Sequence, residues 1–299
     1  MNEIYIFNIA KLAVKSILNV AAVYPKPGLT TPINSSALND IDYPCLLDGT
    51  MSLFQCFVNC ASIGAETEKL KPEETFTLLK APYEIGKQDV MRATRGKLSL
   101  KGHVFLMGIL CAAAGRLIIQ KRNLTASALA LTASSYARGI VSRELWELDE
   151  NAKIDVLTAG QKAYVLYGIE GCRGEAEHGM QNILDAANFF KQLSFNEKIL
   201  TLREKCVQML LKSMSEIQDS CIAAYNGITE LLKIKEEAGN LISIGGVLSD
   251  QGIDEIFKFD KNVRARGISP LGSELVVTCG LFITELERLK LTRSGMSEN

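Results

Sequence analysis

The 299-residue sequence predicts a single all-α domain spanning residues 1–299. Three observations carry that expectation. Apolar residues recur three and four apart along most of the chain. Alternating apolar and polar runs bounded by turn residues are scarce. No Pro-rich hinge, low-complexity tract or internal repeat divides the chain. Composition agrees, since 47% hydrophobic and 22% charged residues are ordinary for a globular protein with a sizeable core. Ten or so helices are expected from a mean length of about 11–12 residues plus connections.

The first helix lies in IYIFNIAKLAVKSILNVAAV (4–23), where Asn8, Lys11, Lys15 and Asn19 are spaced between apolar residues. The same period runs through CLLDGTMSLFQCFVNCASIG (45–64) and PEETFTLLKAPYEIGKQDVMRA (72–93). In HVFLMGILCAAAGRLIIQKR (103–122), the uncharged run from Gly102 to Gly115 is apolar nearly all round, as a central buried helix requires. Further helices are expected in TASALALTASSYARGIVSREL (125–145), ILDAANFFKQL (183–193) and NEKILTLREKCVQMLLKSMSEI (196–217). SCIAAYNGITELLKIKEEAG (220–239) and ELVVTCGLFITELERLK (274–290) complete the series.

A formal net charge of -1 provides no global field to draw the chain to DNA, RNA or an anionic membrane. A polyanionic ligand must therefore meet a few cations focused in a cleft. Eight cysteines form no Cys-x-x-Cys pair and fall mostly in apolar helical stretches, which suits buried thiols in a reducing compartment. His103 and His178 are the only histidines, too few for an ordinary zinc site. The N-terminal segment lacks the order of a signal peptide, and no uncharged apolar run approaches the ~20 residues of a membrane span. A soluble, cytoplasmic protein without nucleic-acid or membrane partners is expected.

Four segments break the helical texture with Gly, Pro and charge together: 24–42, 94–103, 168–179 and 266–275. Each precedes or opens an apolar helix. A helix start offers unpaired N–H groups and the positive end of the dipole, which suits an anion. Lys26, Arg95, Lys97, Lys101, Arg173 and Arg266 lie in these breaks. Taken singly, each break is more commonly a turn with a solvated lysine. Asp40 and Asp42 are equally readable as helix N-caps, and Glu175 as a first-turn carboxylate complementing the dipole. No Walker-type or G-x-G-x-x-G motif is present, so the residues alone imply a helical enzyme or nucleotide binder with a polyanionic ligand.

Taken in order, the breaks resemble the triphosphoribosyl-dephospho-CoA synthase family. PKPGL (25–29) is similar to its P-K-P-G-L-V, and SALNDID (36–42) to its G-A-H-x-D-M-D. TRGKLSLKGHVFLMG (94–108) resembles T-x-G-V-N-T-H-K-G-x-x-F-x-L-G. GCRGEAEHG (171–179) resembles G-x-R-G-E-A-x-x-G, and SPLGSEL (269–275) aligns with S-P-G-G-S-A-D. The resemblance implies an all-α fold and transfer of the 5-triphosphoribosyl group of ATP to the 2′-hydroxyl of 3′-dephospho-CoA, or to a related alcohol, with loss of adenine. It implies Mg²⁺ on the triphosphate and a product that is the prosthetic-group precursor of an acyl carrier protein. A homodimer is compatible with it.

By the same resemblance, Lys26, Lys101 and Arg173 contact phosphate oxygens. Gly28, Gly102, Gly174 and Gly272 admit the ligand close to the backbone, and Ser269 and Ser273 donate hydroxyls. Asp40, Asp42 and Glu175 are the carboxylates for catalysis, with Asp40 and Asp42 also available to a metal. The departures fall at polar positions. The family His is Leu38; its Asn and His are Leu98 and Leu100; a later Asp and Arg are Ala238 and Ile244; a Gly and an Asp are Leu271 and Leu275. Leucine neither donates nor accepts a hydrogen bond. The second expectation is therefore a relative that uses another acceptor or nucleotide, or binds one silently and acts through a partner.

Overall fold

The computed structural model describes residues 2–38, 41–98, 100–146, 148, 154–195 and 199–289. Among these the chain is all-α, with one isolated bridge between Thr31 and Asn34. Helix α1 (Asn2–Ala21) is followed by a long connection to α2 (Tyr43–Ser52), then α3 (Phe54–Glu66) and α4 (Pro72–Ala93). Helices α5 (Lys101–Ile119) and α6 (Ala126–Ala137) lead to a π-helical turn at Ser142–Trp146. Next come α7 (Ala159–Tyr167), the short α8 (Gly171–Glu177) and α9 (Gln181–Gln192). The chain continues through α10 (Leu202–Glu216), α11 (Ser220–Asn226), α12 (Ile228–Ser243), α13 (Asp250–Ala265) and α14 (Leu271–Glu287).

Helix α5 is the axis, buried on nearly every face from His103 to Ile118, as its all-round apolarity predicts. It packs on α3 with the backbones in close approach. A Cβ at Gly64 would lie 1.9 Å from the Ala112 carbonyl oxygen, and one at Gly115 would lie 2.0 Å from that of Ala61. Helices α1, α14 and α9 form the other side of the bundle. The segments Glu3–Ala21 and Lys101–Ile119 are long and apolar enough to cross a membrane, and 50% and 83% of them are buried inside the bundle.

The structure divides three of the expected helices, the 125–145 pattern breaking after Ala137 at Arg138 and Gly139. The 45–64 pattern breaks at Leu53, where Thr50 Oγ1 and Ser52 Oγ turn back onto the carbonyls of Leu46 and Gly49 and compete with the helical ladder. The 220–239 pattern breaks at Gly227, whose φ is +87°. Helices α7, α8 and α13 were not expected from the periodicity. In α13 the buried face includes Asp260, which interrupts the apolar stripe.

Two connections far apart in sequence are tied together beside α13. Gly28, at φ +72°, donates its N–H to Asp260 Oδ1 at 3.0 Å. A Cβ there would lie 2.1 Å from the Ile268 carbonyl oxygen. Arg264 of α13 donates to the carbonyls of Lys26, Leu29 and Ser35. The Pro-Gly segment before α2 is thereby held against the segment that opens α14.

Candidate active site

The tied connections border a cleft of ≈ 1570 Å³, and all four sequence breaks contribute to its walls. Ser36 and Ile41 come from the first, residues 96–98 and 100–103 from the second, residues 168–175 and 178 from the third, and Leu271, Gly272, Glu274 and Leu275 from the fourth. Helix α4 supplies Lys80 and Lys87 to one rim.

At the second break the helix start is open. Leu100 adopts a left-handed conformation (φ 42°) that ends the preceding turn, and no side chain caps α5. Lys97 and Lys101 flank this start, both exposed and both on the cleft wall. Gly102 lies beneath Leu275, whose Cδ2 would be 2.6 Å from a Cβ at that position. Arg173 faces the cleft from α8 with its Nε bonded to Glu144 Oε2 at 2.7 Å, so its guanidinium is partly committed.

Three other helix starts are filled by the chain's own carboxylates, while the short α8 has no side-chain cap and α7 is capped by the Thr158 hydroxyl. Glu175 lines the cleft, but Oε1 accepts from Ile183 N at 2.9 Å and Oε2 from Asn182 Nδ2 at 2.6 Å, which caps α9. Burial pushes its pKa up. Asp219, buried between α11 and α14, accepts from Cys221 N (3.0 Å) and Ile222 N (3.3 Å), and from Ser273 N (2.7 Å) and Ser273 Oγ (2.9 Å). Burial raises its pKa as well, against those same hydrogen bonds. Gly272 packs on this carboxylate, with room for no Cβ: Asp219 Oδ1 would be 2.9 Å away.

The remaining residues singled out by the sequence are placed as follows. Lys26 is 1% exposed and gives its ammonium to Glu274 Oε1 (2.6 Å) and the Val20 carbonyl (3.1 Å), behind the cleft wall. Gly28 spends its N–H on Asp260. Ser269 and Ser273 are buried off the cleft, Ser269 with its Oγ 3.3 Å from Ser36 Oγ and Ser273 on Asp219. Gly174 lines the cleft and packs on Glu170, whose Oε2 would be 2.4 Å from a Cβ. Asp42 caps α2 by accepting from Cys45 N at 2.9 Å. Asp40 lies outside the described residues.

Two groups, Asp219 and Glu274, are not singled out by the sequence, and His103 is noted there only as one of two histidines. Asp219 precedes a helix in the ordinary N-cap position, so its local role was readable. Its second role, on Ser273, was not. Glu274 lines the cleft beside the buried Lys26, a partner 248 positions away. His103 lines the cleft from the first turn of α5, and burial pushes its pKa down to about 4, so the ring is neutral at pH 7.

Leu98, Leu100, Leu271 and Leu275 all line the cleft. Three positions where the family pattern has polar groups, Leu98, Leu100 and Leu275, thus give the cleft apolar lining, with Leu271 at a family Gly, while Leu38, Ala238 and Ile244 lie off it. Among the described residues no three His, Cys, Asp or Glu side chains gather as metal ligands, and Asp42 is taken by its cap. The cap uses only Oδ1 of Asp42, and Asp40, the other carboxylate suggested for a metal, is outside the described residues.

Comparison with known proteins accords with this geometry. The family model for ATP:dephospho-CoA triphosphoribosyl transferase matches residues 6–294. The chain is 29% identical, over 94% of its length and 91% of the relative's, to a protein of Citrobacter koseri named probable 2-(5''-triphosphoribosyl)-3'-dephosphocoenzyme-A synthase. No solved structure matches it. With a match across nearly all of its helices, the chain belongs to the ATP:dephospho-CoA triphosphoribosyl transferase family.

Proposed function

We propose that this protein transfers the 5-triphosphoribosyl group of ATP to the 2′-hydroxyl of 3′-dephospho-CoA and releases adenine. The observation that carries the reading is the meeting of all four glycine-rich breaks on a single ≈ 1570 Å³ cleft with a lysine rim. The triphosphate lies along the open start of α5, between Lys97 and Lys101, where N–H groups and ammonium groups face the same space. Lys80 and Lys87 extend the positive rim and Arg173 closes it from α8. ATP enters as its Mg²⁺ complex, the ion carried by the triphosphate rather than by the chain. The product serves as a prosthetic-group precursor for an acyl carrier protein.

The reaction breaks a glycosidic C–N bond, so positive charge develops on the ribose much as in glycoside cleavage. The cleft contributes by fixing the triphosphate, and hence C1′, against the acceptor hydroxyl. The apolar wall of Leu98, Leu100, Leu271 and Leu275 excludes water from that side.

That wall also motivates a second reading, in which the same pocket binds a nucleotide but uses another acceptor or none. Adenine release from ATP and Mg²⁺, with and without 3′-dephospho-CoA, separates the two. Release that depends on dephospho-CoA supports the transferase. ATP binding without adenine under either condition supports the second reading and overturns the first.

A further inference from the structure

The transfer needs a carboxylate that faces the acceptor hydroxyl. Two of the three suggested by sequence are committed elsewhere, Asp42 to the first turn of α2 and Glu175 to that of α9. Glu274 differs from both. It projects from the first turn of α14 into the cleft, 8% exposed, and among the described residues only one of its oxygens is used. Oε1 accepts from Lys26 Nζ at 2.6 Å, while Oε2 has no hydrogen bond among the described residues.

Lys26 accounts for the state of that carboxylate. Its ammonium is sealed from solvent, and among the described residues its other hydrogen bond is to the Val20 carbonyl. Burying two opposite charges is expensive, and a hydrophobic pair of similar volume often serves stability as well. Here the pair leaves one carboxylate oxygen unused among the described residues, on a cleft that Leu275 and Leu100 also line. His103 stands nearby on α5 and also lines the cleft.

We propose that Glu274 is the catalytic carboxylate of the transfer, taking the proton of the acceptor hydroxyl on Oε2, with Lys26 as the residue that positions it. The proposal rests on the transferase reading above. The hydroxyl oxygen bonds to C1′ of the ATP ribose. The C1′–N9 bond breaks and its electron pair leaves with adenine. The hydroxyl proton passes to Glu274 and from there to solvent, and adenine takes one proton at N9, so no co-reactant is needed. The acceptor of the proton need not be a strong base. The hydroxyl becomes strongly acidic once it begins to bond to an oxocarbenium-like carbon. The same negative charge faces the developing positive charge on the sugar.

The test is adenine release from Mg·ATP and 3′-dephospho-CoA by the full-length protein, with ATP affinity and thermal melting measured on each variant. In Glu274→Gln, kcat is expected to fall at least about 100-fold with the KM for ATP changed less than about twofold. That substitution leaves Lys26 as an unpaired buried ammonium, so the double variant Lys26→Met, Glu274→Gln is measured beside it. The double variant removes both charges together, restores melting, and is expected to stay as inactive as the single one. Glu274→Asp keeps the pair, withdraws the carboxylate by one methylene, and is expected to lose about tenfold in kcat. Near-normal turnover in the folded single or double variant overturns the assignment of Glu274 and leaves the transferase reading intact. A wild-type protein that binds both substrates and releases no adenine overturns the transferase reading, and this assignment with it.

Discussion

Two kinds of helix start meet in the cleft. At α9, α11 and α14 the chain supplies its own anion: Glu175 occupies the first, and Asp219 occupies the other two at once. At α5, as at the short α8, it supplies none, and at α5 exposed Lys97 and Lys101 stand beside the uncapped turn. The glycine-rich sequences before these helices look alike. They mark where N–H groups gather, and the tertiary fold decides whether a carboxylate of the protein or an anionic ligand fills the place. A carboxylate whose oxygens accept two to four hydrogen bonds from the chain behaves as structure, while an open start flanked by lysines is left for a ligand.

The largest expected effect tests the filled side. Asp219→Ala leaves the Ser273, Cys221 and Ile222 donors without their shared acceptor in a buried place. A loss of about 3–5 kcal/mol is expected in urea denaturation, with ATP affinity of the folded protein nearly unchanged. A small stability loss accompanied by tighter ATP binding would break the comparison, since it would make the α14 start an anion site held shut by Asp219.

His103 gives the next effect, on the open side. A proton on this ring would be buried and would face the positive end of α5. Its pKa is about 4 in the folded protein against an ordinary 6.5. Between those values the unfolded chain binds a proton that the folded protein refuses. Stability is therefore present above pH 6.5 and is lost as pH falls toward 4, by about 3 kcal/mol in full. His103→Gln should flatten that part of the profile when urea denaturation is compared at neutral and acid pH. An identical slope in the variant assigns the acid loss to other groups.

The helical architecture was largely legible in the sequence, because α1, α4, α5 and α14 carry apolar residues at helical spacing that burial then exploits. The breaks were legible too, as places where Gly, Pro and charge coincide. Their filling was not. Glu175 and Ile183 are only 8 positions apart, so that cap was within reach of a local reading. Asp219 reaches Ser273 across 54 positions, and Lys26 reaches Glu274 across 248. Nothing local distinguishes a lysine that will face phosphate from one that will be sealed against a glutamate. The resemblance named Lys26 and Lys101 together, and the packing of α14 separates them.

The smallest effects sharpen the account of α5. Lys101→Ala should weaken ATP binding about tenfold by calorimetry, the scale of one charge-assisted contact, and leave stability almost untouched because the side chain is exposed. Gly102→Ala is subtler. The added methyl meets Leu275 Cδ2 at 2.6 Å, the far end of a side chain that can rotate, and alanine favours the helix by up to about 1 kcal/mol. Stability should therefore change by less than about 1 kcal/mol. The methyl nonetheless crowds the backbone where the triphosphate is proposed to approach, so ATP affinity should drop a few-fold while the protein stays folded. If Lys101→Ala weakens ATP and Gly102→Ala does not, the lysine steers the nucleotide without the helix start receiving it, and the α5 end is open for a reason other than phosphate.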